Sequence, residues 1–302
     1  MALWICTACG TQFPESGMPP AVCSICDDDR QPPNTNETQW VTPDELATSG
    51  YDVKVVEHEP GLTGIGAEPG FGIGQRPILV RTPDGNILWD CMAPLDDRIA
   101  REIEQRGGLS AIAISHPHYY TTMVEWADRF DVPIWLHEDD RAWVMRSSPR
   151  IRFFAGDTHE LAPGTTILRL GGHFPGATVL YWAGAEDGRG VLLSGDTILP
   201  IPVNHSATFL YSYPNRLPLP PWEIRRLRAA IAPYRYDRLY AAWFGQELIG
   251  EADRAVLESA DRYLAKLGGH ITVAPGIHGA TAPGNTGSSS IPRWDRPAEA
   301  AR

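Results

Sequence analysis

The sequence predicts an α/β domain that carries a small four-cysteine metal ribbon at its N-terminus. Three observations carry that expectation. Apolar strands alternate with amphipathic helices from residue 41 onward, four of the five cysteines lie within the first 26 residues, and 43% of the 302 residues are apolar. That apolar share is enough to build a sizeable core. Charged groups number 26 basic against 37 acidic, a net charge of −11, which repels a phosphate backbone. No Lys/Arg run offers a local patch, so nucleic acid is not an expected partner. No stretch approaches the ~18 to 20 consecutive apolar residues of a membrane helix. The opening MALWICTACG lacks the basic and long apolar segments of a secretory leader. A cytoplasmic chain with no membrane partner is therefore expected, and homo-oligomer formation is left open.

Residues 1–30 form the cysteine unit, with Cys6-x-x-Cys9 and Cys23-x-x-Cys26 separated by 13 residues. In a secreted mini-domain two such pairs would make two disulfides. In a chain without a leader they read as four thiolates closing a tetrahedron around zinc or iron, at roughly 2.3 Å per bond. Some thirty residues bury little core, so the ion supplies folding energy. Gly10 follows the first pair, where such a turn commonly needs positive φ. The fifth cysteine, Cys91, ends an apolar run and reads as a small buried hydrophobe. The polar, proline-bearing stretch DDDRQPPNTNET marks a linker, placed at 31–40.

Residues 41–278 then read as one domain. RPILVRTPDGNILWDC is strand, turn, strand, with Asp84-Gly85-Asn86 supplying the turn. PLDDRIAREIEQRGG is a helix with Ile99 and Ile103 on one face and Gly107-Gly108 as its stop. LSAIAIS is a buried strand ending at His116, TTMVEWADRF a helix, VPIWLH a strand and EDDRAWVMR a helix. TTILRL, ATVLYW and GVLLSGD are strands. PWEIRRLRAAIA and EADRAVLESADRYLAKL are helices on either side of the strand YDRLYAAWF. The glycines of GLTGIGAEPGFGIG do not match the G-x-G-x-x-G spacing, and read as a flexible or bulged loop. Residues 279–302, rich in Gly, Pro, Ser and Ala, read as a flexible tail.

Metal ligation needs imidazoles or carboxylates on rigid strand ends beside an open face. His116 and His118 follow one strand, His173 another, and Asp196 a third, all where α/β folds place their chemistry. A lone histidine is more often structural. Together, DGNILWDC, SHPHYYT, GGHFPGAT and LSGDTI resemble the metallo-β-lactamase superfamily, an αββα sandwich with its metal site at one edge of the two sheets. With Trp4 ahead of it, WICTACG…CSIC is similar to the rubredoxin-like and zinc-ribbon group. Asp27 stands where rubredoxins carry glycine, which favours zinc over iron there.

The first resemblance implies that His116, His118 and His173 hold the first metal, with Asp196 beside it. It also implies a loss. Tyr120 and Thr121 replace the Asp-His half of the second-metal motif, and Trp243 and Phe244 stand where a last histidine belongs. His278 is a distant substitute. The expected function is hydrolysis of a small ester, lactone, amide or thioester at a mononuclear zinc or iron site with metal-activated water. Asp196 is the candidate ligand or base and Tyr120 the candidate oxyanion donor, though Tyr119 and Tyr120 also suit simple pocket filling. Two alternatives stand beside it: a mononuclear non-haem iron oxygenase, and a non-catalytic metal-stabilised binding protein. The segment PVNHSATFLYSYPNRLPL, with His205, Tyr211, Tyr213 and Arg216, is the candidate wall for a small-molecule substrate. His137, between a strand and a helix, reads as a cap or as support for a ligand, not as a ligand itself.

Overall fold

The computed structural model describes residues 1–31 and 39–268. His278, the tail 279–302 and most of the linker lie outside them. The ribbon contributes β1 (Ile5–Cys6), which pairs antiparallel with β2 (Trp40–Val41). A single turn of helix, α1 (Pro43–Ala47), follows, closed by a capping box between Thr42 and Glu45.

Seven strands form the first sheet in chain order: β3 (Asp52–Glu59), β4 (Leu62–Glu68), β5 (Ile78–Thr82), β6 (Gly85–Trp89), β7 (Ala111–Ala113), β8 (Ile134–His137) and β9 (Ile151–Phe154). Hairpins join β3 to β6, and from β6 to β9 the strands run parallel. Parallel neighbours need crossovers. Two are helices, α2 (Asp97–Glu104) and α3 (Met123–Phe130).

The second sheet begins with β10 (Thr158–Ala162), β11 (Thr165–Arg169), β12 (Thr178–Trp182) and β13 (Val191–Gly195). Two small hairpins follow, β14 (Leu199–Ile201) with β15 (Ser206–Thr208), and β16 (Leu210–Ser212) with β17 (Leu217–Pro218). After α4 (Pro221–Ile231), β18 (Arg238–Ala241) joins β13 in parallel, β19 (Glu247–Ile249) closes the edge, and α5 (Ala252–Leu267) ends the described chain.

Three apolar layers stack these elements. Leu62, Val80, Trp89 and Ala113 of the first sheet meet Ile167, Leu180, Val191 and Leu193 of the second. Ile99 and Ile103 of α2, with Val124 and Ala127 of α3, cover the outer face of the first sheet. Ile224 and Leu227 of α4, with Val256 and Ala260 of α5, cover the second. The order is helix, sheet, sheet, helix, the expected αββα sandwich. Among the described residues no helix is long and apolar enough to cross a membrane.

Two sequence expectations need correction. GLTGIGAEPGFGIG is not all loop, because its first half is β4, the second strand of the first sheet, paired on both sides. Its glycines hide it: a Cβ on Gly66 would stand 2.8 Å from the Phe244 ring, so the strand needs a missing side chain there. Residues 138–143 form a 3₁₀ helix instead of an α-helix. His137 caps it, its Nδ1 accepting from the Asp139 amide at 3.1 Å, and three consecutive acidic residues open it.

Candidate metal centre

Every ligand candidate leaves the end of a strand. The Asp90 carboxylate, one residue past β6, accepts from the Ser115 amide at 2.7 Å, which clamps the exit of β7 against its parallel neighbour. His116 follows in extended backbone, and the turn Pro117–Tyr119 swings His118 back to the same centre. His173 comes from the loop between β11 and β12. Asp196 follows β13 through Gly195, whose φ is +56°, and a Cβ there would stand 2.6 Å from Ser115 Oγ. Only glycine lets those two strand ends approach so closely.

The four side chains converge. Ring centroids of His116, His118 and His173 are 4.9 to 5.2 Å apart. His116 Nε2 is 3.1 Å and His173 Nε2 3.6 Å from Asp196 Oδ1, while His118 Nδ1 lies 3.3 Å from His173 Nε2. One donor atom from each residue fits within 4.8 Å of the others, and all four residues are buried. His116 Nε2 and Asp196 Oδ1 make no hydrogen bond despite their burial. They stand 3.1 Å apart without the alignment of a hydrogen bond. Buried polar atoms without partners are rare in folded proteins, and a cation held by both would satisfy them.

The outer nitrogens are held separately. His173 Nδ1 donates to the Tyr211 carbonyl at 2.9 Å, which leaves the Nε2 lone pair for the centre. His116 Nδ1 meets Ser115 Oγ at 2.9 Å, and His118 Nε2 meets the Gln31 amide at 2.8 Å. Such partners fix ring orientation and tautomer in metal sites. Burial and the neighbouring imidazoles keep His116 protonation far below the usual histidine range, and burial holds His173 at about 4. The rings are therefore neutral near pH 7, the form that ligates. Burial pushes Asp196 up to about 7, the direction for a carboxylate withdrawn from water. The residues fit a single divalent ion.

The ribbon sulfurs fit a second ion. Cys6 and Cys26 are 3.7 Å apart and Cys9 and Cys23 3.6 Å, far beyond the ~2.05 Å of a disulfide. A regular tetrahedron with bonds of about 2.3 Å has edges of ~3.8 Å. All four cysteines are buried and unbridged, as is Cys91.

No family model matches the chain. The Bacillus subtilis (strain 168) protein YmaE, whose function is uncharacterized, is 41% identical over 268 residues, which is 88% of this chain and 97% of YmaE. The chain belongs to the YmaE family. Its fold is that of the metallo-β-lactamase superfamily. The VMB-1 structure at pH 5.5 superposes with a TM-score of 0.53 at 11% identity, over 72% of this chain and 97% of that one. The DIM-1 metallo-β-lactamase structure exposed to ceftazidime gives 0.52 at 10% identity, over 70% and 98%. At such identities these two share the architecture and nothing finer.

Several expected site residues in this YmaE relative lie elsewhere. Tyr120 is buried in the core under the first sheet, and the carboxylate nearest in influence is Asp140. Tyr119 takes the position expected of Tyr120: its ring stands 4.4 Å from that of His116 and its hydroxyl faces Asp196. The two tyrosines diverge because the 3₁₀ turn rotates adjacent residues by about 120°. Tyr213 does reach the centre, its ring edge-on at 5.8 Å from His173 and its hydroxyl donating to the Asp196 carbonyl, whereas Tyr211 offers His173 only its backbone carbonyl and turns its hydroxyl to Asp29. His205 and Arg216 do not reach it. Both are exposed in left-handed backbone at the tips of the small hairpins. Trp243 donates to the Ile73 carbonyl at 3.1 Å and stands 6.4 Å from the Tyr119 ring, so the two aromatic groups pack beside the histidine centre.

Three residues went unread in the sequence. Asp90 carried a signal, since it ends an apolar strand in WDC. Arg30 and Gln31 carried none. They lie in the polar stretch after the ribbon, yet Arg30 Nε donates to the His173 carbonyl at 2.5 Å and its cation lies 4.2 Å from the Phe174 ring.

Proposed function

We propose that this YmaE-family chain is a mononuclear metal-dependent hydrolase of a small ester, lactone, amide or thioester. The observation that carries the reading is the convergence of three neutral imidazole nitrogens and the Asp196 carboxylate on one point, with His116 Nε2 and Asp196 Oδ1 otherwise unpartnered. A Zn²⁺ or Fe²⁺ held there supplies Lewis acidity and water acidic enough to be a nucleophile near neutral pH.

The chain's own groups do the rest. Asp196 is placed to take a proton beside the imidazoles, and Tyr213 holds its backbone by donating to the Asp196 carbonyl. The buried Tyr119 hydroxyl, which faces Asp196 without completing a well-formed hydrogen bond, is a donor for charge developing at the centre. Burial raises its pKa well above the ordinary phenol value, so it keeps its proton. The Tyr213 ring, 5.8 Å from that of His173, and the buried Phe174 ring give the centre an aromatic, apolar flank.

The test is a panel of p-nitrophenyl esters, aryl lactones, anilides and aryl thioesters, run on protein whose metal content has been determined by element. His118→Ala should remove one ion per chain and reduce turnover by at least about 10²-fold. Turnover that persists unchanged after that ion is lost overturns the reading. Oxygen uptake with an iron-loaded centre and no hydrolysis would replace it with the oxygenase.

A further inference from the structure

Cys26 and Gln31 are five residues apart, yet one belongs to the thiolate cluster and the other touches a metal-site histidine. The segment Asp28–Gln31 is held along its whole length. Tyr211 Oη donates to Asp29 Oδ1 at 2.6 Å, Ser212 Oγ to the Arg30 carbonyl at 2.7 Å, and Asn215 Nδ2 to the Gln31 carbonyl at 3.0 Å. Asp28 grips the Arg30 guanidinium with both oxygens at 2.6 and 2.7 Å, and Arg30 donates to the His173 carbonyl. Gln31 meets His118 Nε2 at 2.8 Å. The atom at that distance is the Gln31 amide nitrogen; because His118 turns Nδ1 to the centre, its Nε2 carries the proton, and the amide, whose oxygen and nitrogen differ only by a flip, accepts through the oxygen.

We propose that the four-cysteine ribbon latches the histidine centre. The ion on Cys6, Cys9, Cys23 and Cys26 fixes the Asp28–Gln31 segment. Gln31 and Arg30 then act as positioning residues for His118 and His173, so that filling one site tightens the other. A unit of about thirty residues has little core of its own, so its order depends on the ion. Loss of that order withdraws the partner of one ligating ring and the clamp on another. Coupling of this kind is reciprocal.

The inference rests on the preceding proposal only in that the histidines hold an ion. Its readout is affinity, not turnover. Zinc dissociation from the histidine centre is followed in the full chain by competition with a chromophoric chelator. Cobalt(II) substitution distinguishes the two sites, because thiolate ligation alone gives intense charge-transfer bands. Gln31→Ala should weaken the histidine centre about 10-fold, the lower end for removing such a partner, while the thiolate bands stay. Gln31→Glu, which keeps an acceptor oxygen, should restore near-native affinity. Cys9→Ser with Cys23→Ser should lose the thiolate ion and weaken the histidine centre by at least as much as Gln31→Ala. If the double variant does not fold, the two Gln31 variants still decide.

Unchanged histidine-centre affinity in Gln31→Ala, or equal weakening in Gln31→Glu, overturns the latch and leaves the hydrolase reading intact. A loaded, latched centre without hydrolysis sinks the hydrolase alone. A wild-type histidine centre that takes no ion sinks both.

Discussion

Asp140 shows how one buried carboxylate serves the centre from outside it. Its Oδ1 accepts from the Gly176 amide at 2.7 Å and so holds the loop that carries His173, while Oδ2 has no partner. Burial pushes its pKa up to about 7. In the unfolded chain Asp140 ionises near the ordinary carboxylate value of ~3.9. As pH rises from there, the unfolded state releases its proton first while the native state still holds it. Native stability therefore declines through this window, by about 1.4 kcal/mol per pH unit for one proton, and the loss is complete above about 7. Asp140→Asn keeps an oxygen for Gly176 and removes the charge. Thermal unfolding from pH 4.5 to 8 should show a shallower decline in the variant, with the largest gain above pH 7. An identical slope in both proteins would assign the native proton to another group.

Helix α2 makes a comparable case for an element. Asp96 Oδ1 accepts from the Arg98 and Ile99 amides at 2.8 and 2.9 Å, and the first turn then buries Ile99 and Ala100 against the first sheet. Asp96→Ala should cost about 1 kcal/mol, the usual loss for an N-cap, seen as a lower chemical-denaturation midpoint with unchanged metal content. This helix was legible because its signals are local: a capping aspartate, a 3.6-residue apolar period, and Gly107-Gly108 beyond its end, both with positive φ. The ligand set was legible for a related reason, since His116, His173 and Asp196 each end an apolar run. Strand β4 was not, because Gly64 and Gly66 erase the pattern to admit the Phe244 ring. Neither was Gln31, whose role exists only once the tertiary fold brings Asn215 and His118 to it. Tyr119 and Tyr120 are adjacent in sequence, and only the turn geometry decides which one faces the centre.

For the whole molecule, the ribbon and the residues standing where the resemblance would put second-metal ligands are parts of one packing solution. Thr121, where the motif would carry histidine, has φ +36°, and its carbonyl accepts from the Gln12 amide of the ribbon at 3.1 Å. A Cβ on Gly10 would come within 3.3 Å of Thr121 Cγ2 and 3.1 Å of Ala93 Cβ, so the first cysteine turn lies directly on this residue. An imidazole at 121 would need the volume that Gly10 and its neighbours fill, and overpacking of that kind costs about 1–3 kcal/mol. On the other side, Trp243 closes against Tyr119, and exchanging it for histidine opens a void. Writing the lost motif back with Tyr120→Asp, Thr121→His and Trp243→His should therefore not rebuild a binuclear site. Metal content should stay at two ions per chain, and stability should fall by at least about 2 kcal/mol, with the ribbon ion becoming easier to chelate. Thr121→His should account for most of the weakened ribbon, because of the three substituted positions it is the one that lies against Gly10. A third tightly bound ion at native stability would mean that the second site was lost without structural compensation, and that the ribbon's place on Thr121 is incidental.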